Sequence, residues 1–259
     1  FFTTDLHFSS IVNFIRGWGL ELDYDCLSQY QHIMEGLPVG WSLDMVVPAN
    51  RLLPPEKAHQ IYLGSFYHHG FFYVSAGGYY KKMKHLASYK NASNVFGVKN
   101  SSWEDEVCEG EGESYGMEAR AEKRGAYWNA ALSYTLSKTD RQFDEINGGR
   151  KFPFRFDRRH VLNLTGRILI KTKEKKQQYL NLGLAYASGH YLTIPQGMYK
   201  GVLPPYWEQG LVGWVPQKMQ DLAYSRELMG DVNAYQMTDY FRMDIGYSFQ
   251  KQGKHHFRE

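Results

Sequence analysis

The sequence predicts an all-β chain whose antiparallel up-and-down strands form part of a transmembrane β-barrel. Three observations point there. Apolar and polar residues alternate with period 2 through most of the chain, while helical periodicity is scarce. The connections alternate between short turns and long loops, the asymmetry of barrels that cross a membrane. The expected strands run to about 10–16 residues, enough to cross when tilted, and carry aromatic residues near their ends.

The elements follow in order. A first strand is expected at Leu6–Asn13. In the next, Trp18, Leu20, Leu22, Tyr24 and Cys26 share one face, with Glu21, Asp23 and Asp25 on the other. Strands at Ile61–His68 and Phe71–Lys82 come next, although Gly77 and Gly78 blur which face is which. Tyr115–Lys123 sets Tyr115, Met117, Ala119 and Ala121 against Glu118, Arg120 and Glu122. Trp128–Leu136, Leu162–Ile170, Leu180–Tyr186 and Phe241–Phe249 alternate cleanly, and a tenth strand could start after Lys254. Short turns fall at Phe14–Gly17, His69–Gly70, Arg124–Ala126 and Lys171–Gln177. Long connections fall between them, at Gln31–Lys57, Lys84–Ser114, Lys138–Arg159 and Ser188–Thr238. Every second connection thus exceeds the ~12–15 residues that compact domains usually allow. Trp18, Tyr67, Tyr127, Trp128 and Tyr240 would suit the two membrane interfaces.

Composition narrows the function classes. A chain that is 43% hydrophobic and 16% aromatic must bury or cover that surface, which excludes disorder. No apolar run reaches the ~18 residues of a spanning helix. A net charge of +3 with dispersed basic residues gives no nucleic-acid footprint. Cys26 and Cys108 lack metal-pair spacing and are either free thiols or one disulfide. The pairs His68-His69 and His255-His256 suit chelation poorly, because strand neighbours point to opposite faces. Asp157-Arg158-Arg159-His160 has no nucleophile motif to serve, so a structural ion cluster is the expectation there. No metal, cofactor or catalytic residue is expected. The chain opens on Phe1-Phe2 with no signal-peptide layout, which suggests that residues precede it.

Several runs together resemble the C-terminal barrel region of TonB-dependent outer-membrane receptors. These are Tyr115-Gly116-Met117-Glu118, the stretch Trp128–Ser137, Arg141–Gly149, Phe152-Pro153-Phe154 and Asp157–His160. Tyr79–Lys84 and Asp239–Asp244 fit the same pattern. The nearest subgroup carries a carboxypeptidase-regulatory-like domain ahead of its plug. By that resemblance the chain is about nine or ten strands of a 22-stranded barrel, with plug, signal peptide and final strands lying outside it; ~27 residues per strand gives about 600 residues before the plug. The whole protein would take up a scarce solute (siderophore, vitamin, glycan or peptide) at its extracellular loops, with energy passed through TonB to the plug. Its partners would be outer-membrane lipid, its own plug domain and the TonB complex, with a surface lipoprotein as a further candidate.

Candidate site residues follow from that expectation. Trp41, Trp103, Tyr199, Tyr206, Trp207 and Trp214 place rings in the long connections, where they could stack on a ligand or pack loops together. Glu21, Asp23, Asp25, Glu118, Arg120, Glu122, Asp157, Arg158 and Arg159 would face the lumen or plug. Two other readings stay open on the residues alone: a self-contained small barrel with a structural or adhesive role, and a soluble β-sandwich that binds glycans or a β-rich hydrolase.

Overall fold

The computed structural model describes residues 2–34, 45–90, 107–173, 176–200 and 225–251. Its strands, in chain order, are β1 (Leu6–Ile15), β2 (Trp18–Gln29), β3 (Gln31–Met34), β4 (Met45–Pro48), β5 (Glu56–His69), β6 (Phe72–Tyr89), β7 (Val107–Arg124) and β8 (Trp128–Phe143). After these come β9 (Phe152–Pro153), β10 (His160–Lys173), β11 (Lys176–Ala187), β12 (Tyr191–Leu192), β13 (Pro195–Lys200), β14 (Ser225–Met229), β15 (Tyr235–Gln236) and β16 (Tyr240–Lys251). No α-helix occurs among the described residues.

The long strands pair antiparallel in the order β1-β2-β5-β6-β7-β8-β10-β11-β16, with β9 added beside β8. The strands left out of that path pair locally inside the long connections, as β3–β4, β12–β15 and β13–β14. Each turn at one end of the sheet is tight. Every long connection leaves from the other end, called the upper end below.

The register explains why the sheet has two unlike faces. One row across eight strands reads Trp18, Tyr67, Val74, Ala121, Leu132, Leu164, Leu184, Met243. A second reads Leu22, Leu63, Gly78, Met117, Leu136. Many side chains on this face are bare: Leu63 is 59% exposed, Met117 66%, and Ile245, on the same face of β16 as Met243, 65%. A water-soluble sheet would bury such a face in its core. Here the fully buried apolar residues lie elsewhere, in two clusters formed by the long connections and the strand ends that meet them.

Aromatic residues border the apolar face. At the lower end the Trp18 and Tyr67 rings lie 4.9 Å apart, and the Lys123 ammonium sits 3.6 Å from the Trp128 ring and 5.0 Å from that of Phe72. At the upper end a row of Phe8, Tyr24, Ile61, Tyr80 and Tyr115 crosses five strands. The Tyr24 hydroxyl meets His59 Nδ1 at 3.0 Å, and the Tyr134 hydroxyl meets His160 Nδ1 at 2.8 Å. From Tyr115 to Lys123 the chain advances about 27 Å at ~3.4 Å per residue, which at the ~35–45° tilt of barrel strands spans about 20 Å of the ~25 Å apolar band.

The expected strands are all present, and several are longer than the alternation suggested. β6 continues to Tyr89, β7 starts at Val107 and β8 continues to Phe143. In those extensions loops pack against the sheet, so the apolar–polar contrast that marks a strand in sequence fades. Gly77 lies on the polar face, in the row of Glu21, Gly64 and Glu118, and Gly78 lies on the apolar face. The tenth strand expected after Lys254 falls outside the described residues.

Candidate functional site

Above the upper aromatic row the strand extensions and connections fold into a crown with its own apolar core. Leu86 of β6, Cys108 of β7 and Phe143 of β8 meet Ile146 and Phe152. Phe143 is 1% exposed and its ring stacks on Phe152 at a centroid distance of 6.1 Å. The second cluster joins Met34 and Val47 of the β3–β4 hairpin to Leu53, Ala87 and Tyr89. Beneath it His32 is fully buried and its Nδ1 meets Glu56 Oε1 at 3.1 Å.

Polar contacts fasten the β8–β10 connection to the β11–β16 connection. Asn147, held at φ 52°, donates from Nδ2 to the Val232 carbonyl (3.0 Å) and accepts the Val232 N–H at Oδ1 (2.8 Å). Its side-chain amide thereby stands in for one rung of a β-ladder. Arg150 pairs with Asp231 at 2.9 Å, and Asn233 donates from Nδ2 to the Pro153 carbonyl at 3.0 Å. Lys151 reaches Glu113 at 2.6 Å and holds that carboxyl below the usual carboxylate range.

Beside the crown, the polar face carries a cavity of about 640 Å³ lined by Asp5, Leu27, Gln29, Lys81 and Met83, with Ile33 and Val46 of the β3–β4 hairpin above. That is within the size range of small-molecule sites. Lower on the same face the Tyr62 ring lies flat across Gly64 and Gly77, where a Cβ at either position would overlap it. Glu21 and Glu118 flank this ring in the same row, and Asp23 lies directly opposite Tyr62.

The sequence-derived candidates are distributed as follows. Glu21, Asp23 and Asp25 lie on the polar face of β2, and Asp25 meets His7 Nδ1 at 2.5 Å. Glu118, Arg120 and Glu122 lie on the polar face of β7. Arg120 Nε donates to Glu122 at 2.6 Å, and Arg124 shares that carboxylate at 3.0 Å. The Asp157–Arg159 segment is tied to β8 by the Asp157 side chain and the two arginine carbonyls. Asp157 is buried, its carboxyl pushed up by that burial, and its Oδ1 accepts the Thr139 N–H at 2.8 Å. The Arg158 and Arg159 carbonyls accept from Ser137 Oγ and Ser137 N.

Cys26 and Cys108 are free thiols, so the disulfide alternative does not hold in this structure. They stand on β2 and β7, three strand spacings of ~4.8 Å apart across the sheet, well over the ~7 Å between Cα atoms that a disulfide tolerates. Of the loop aromatics, Trp41, Trp103, Tyr206, Trp207 and Trp214 lie outside the described residues. Tyr199 is in β13 opposite Arg226, and its side chain also lies outside the described part.

Sequence reasoning missed the crown core, the Asn147 clasp and the cavity. Asn147-Gly148-Gly149 was a visible turn signal, but its partner is 85 residues away.

A sheet apolar and bare on one face, polar on the other, with a packed crown at one end, is the wall of a transmembrane β-barrel. Residues 35–254 match the family model for the TonB dependent receptor-like β-barrel, and the chain belongs to that family. Its fold is similar to that of the ferric yersiniabactin uptake receptor FyuA from Yersinia pestis, with a TM-score of 0.50 at 11% identity. The match covers 95% of this chain and 36% of that one, so the chain spans about a third of that receptor's length. No curated protein sequence matches the chain.

Proposed function

We propose that this chain is a wall-and-crown segment of an outer-membrane TonB-dependent importer. The observation that carries the proposal is the coincidence of a bare apolar face bordered by aromatic residues with long connections that all leave from one end. The apolar face meets lipid, the polar face lines the lumen, and the crown faces the outside. Glu21, Asp23, Asp25, Glu118, Arg120 and Glu122 then become lumen wall available to a plug. The edges of β1 and β16 are covered by further strands of the complete barrel, because backbone groups left unpaired in hydrocarbon cost several kcal/mol each.

In this role the protein moves a scarce solute rather than making or breaking bonds. The crown captures the solute, and the TonB complex acts through the plug to admit it. The cavity beside the β3–β4 hairpin is the first candidate contact for that solute. Siderophore, vitamin, glycan and peptide all remain candidates, since barrel grammar does not encode the cargo. A surface lipoprotein would extend capture above the crown.

The test uses native outer membranes and an antibody against the Glu145–Phe156 segment. The expected result is a heat-modifiable band at the size of a 22-stranded, plugged barrel, about 600 residues plus plug. A soluble band near the 30.1 kDa of this chain would overturn the proposal.

A further inference from the structure

The cavity beside the β3–β4 hairpin holds unanswered charge of opposite sign at its two ends, with a bare apolar wall between them. Met34 and Val47 of the hairpin enter the crown core. Their neighbours Ile33 and Val46, paired across the hairpin, line the cavity at 54% and 58% exposure. Leu27 of β2, also exposed, and Met83 of β6 continue that wall along the sheet. Bare apolar side chains gathered around one cavity mark a binding surface. Lys81 of β6 lies half-buried on the floor, and Asp5, just ahead of β1, stands at the far rim. Neither makes a hydrogen bond or an ion pair among the described residues. The other charges nearby are occupied or turned away. Glu56 holds His32, Asp25 in the row of Lys81 holds His7, and Lys57 belongs to the opposite face by register.

We propose that the cavity takes a short zwitterionic peptide with apolar side chains, its terminal carboxylate on Lys81 and its terminal amine on Asp5. It gives the solute class for the importer reading under Proposed function and rests on that reading. β1 and β6 are three strand spacings of ~4.8 Å apart, and Lys81 lies one two-residue step of ~6.8 Å lower, so the two backbones stand about 16 Å apart. An extended peptide of about four residues, at ~3.4 Å each, reaches between the two side chains. Its apolar side chains cover Leu27, Met83, Ile33 and Val46. An apolar acid without an amine would leave Asp5 unanswered, and a neutral glycan would answer neither charge.

The experiment titrates the full-length receptor, purified in detergent, with the tetrapeptide Ala-Leu-Leu-Ala, with its C-terminal amide, with its N-acetyl form and with tetraglycine. The free tetrapeptide should bind best. Each cap should weaken binding about fivefold, and tetraglycine should bind at least about tenfold more weakly. Lys81→Gln should bind acid and amide alike and still tell amine from acetyl; Asp5→Asn should do the reverse. No binding of the free tetrapeptide, or a cap effect under about twofold at both ends, overturns the proposal. A penalty from only one cap overturns the peptide assignment, and tetraglycine binding as well as Ala-Leu-Leu-Ala overturns the role of the apolar wall. If a variant does not fold, the capped peptides on the wild type still decide. Heat-modifiable migration of the wild type, scored in the same samples, reports separately on the barrel reading.

Discussion

Replacing Phe143 with Ala should loosen the crown and leave the membrane wall intact. Phe143 is nearly inaccessible, stacks on Phe152 and covers Gly110 on the neighbouring strand, where a Cβ would overlap its ring. Removing a buried phenyl ring costs about 3–5 kcal/mol when the site cannot collapse. Gly110 offers no side chain to fill the space, and Phe152 is fixed by β9, so the upper part of that range applies, about 4 kcal/mol. A loss of that size raises the open population of the crown roughly a thousandfold. Hydrogen exchange on the full-length receptor in detergent reads this directly. The Phe154 and Asp157 amides, which donate to the Thr139 and Phe154 carbonyls, should exchange about a thousandfold faster. The Leu164 and Leu184 amides, within the membrane rows, should not change. A change under about tenfold at Phe154, or equal loss in both regions, would refute the separation of crown from wall.

Three further outcomes are expected. Ala119→Arg, midway between Tyr115 and Lys123 on the apolar face, should destabilise the barrel by about 2–4 kcal/mol and lower the yield of heat-modifiable protein, whereas Glu118→Gln beside it on the polar face should not. The Glu113 carboxyl is held low by Lys151, so its folded value lies below its unfolded one. Its stabilising contribution is fully present above the ordinary glutamate value of ~4.3 and is lost as pH falls through the lower, folded value. Protease sensitivity of the 144–152 segment should therefore rise on acidification, and Glu113→Gln should remove that step. Burial pushes the Cys108 thiol up to about 12, so it should resist maleimide in the native protein at pH 8 and react after unfolding; native labelling as fast as a free thiol would contradict its packing.

The wall was legible in the sequence because each residue there has only two kinds of neighbour, lipid or water, and alternation records that choice. Trp128 to Leu136 could be assigned by inspection, face by face. The crown was not legible, because Phe143, Cys108 and Leu86 come from three strands and meet only after those strands pair. Nothing in the local sequence around Cys108 distinguishes a buried thiol from an exposed one. The same holds for Asp157. Its neighbours Arg158 and Arg159 give no hint that its carboxylate accepts the Thr139 backbone N–H, on a strand that ends before the loop begins. Gly77-Gly78 was ambiguous for a different reason: a glycine has no polarity to assign, and the reason for one of them is the Tyr62 ring arriving from β5.

The clasp between Asn147 and Val232 also sets an order of assembly. Each long strand of the wall neighbours the next long strand in the chain, so the wall can be laid down strand by strand, each edge templating the next, with tight turns and long connections closing in alternation. Asn147 leaves the wall after β8, but its partner arrives only when the β11–β16 connection has emerged. Two more wall strands, β10 and β11, come between them. The crown is thus sealed late, over a wall already partly built. A chain halted at Ala187 carries those strands with the crown unfastened, and its 147–153 segment should be cut by protease where that of the longer chain is protected.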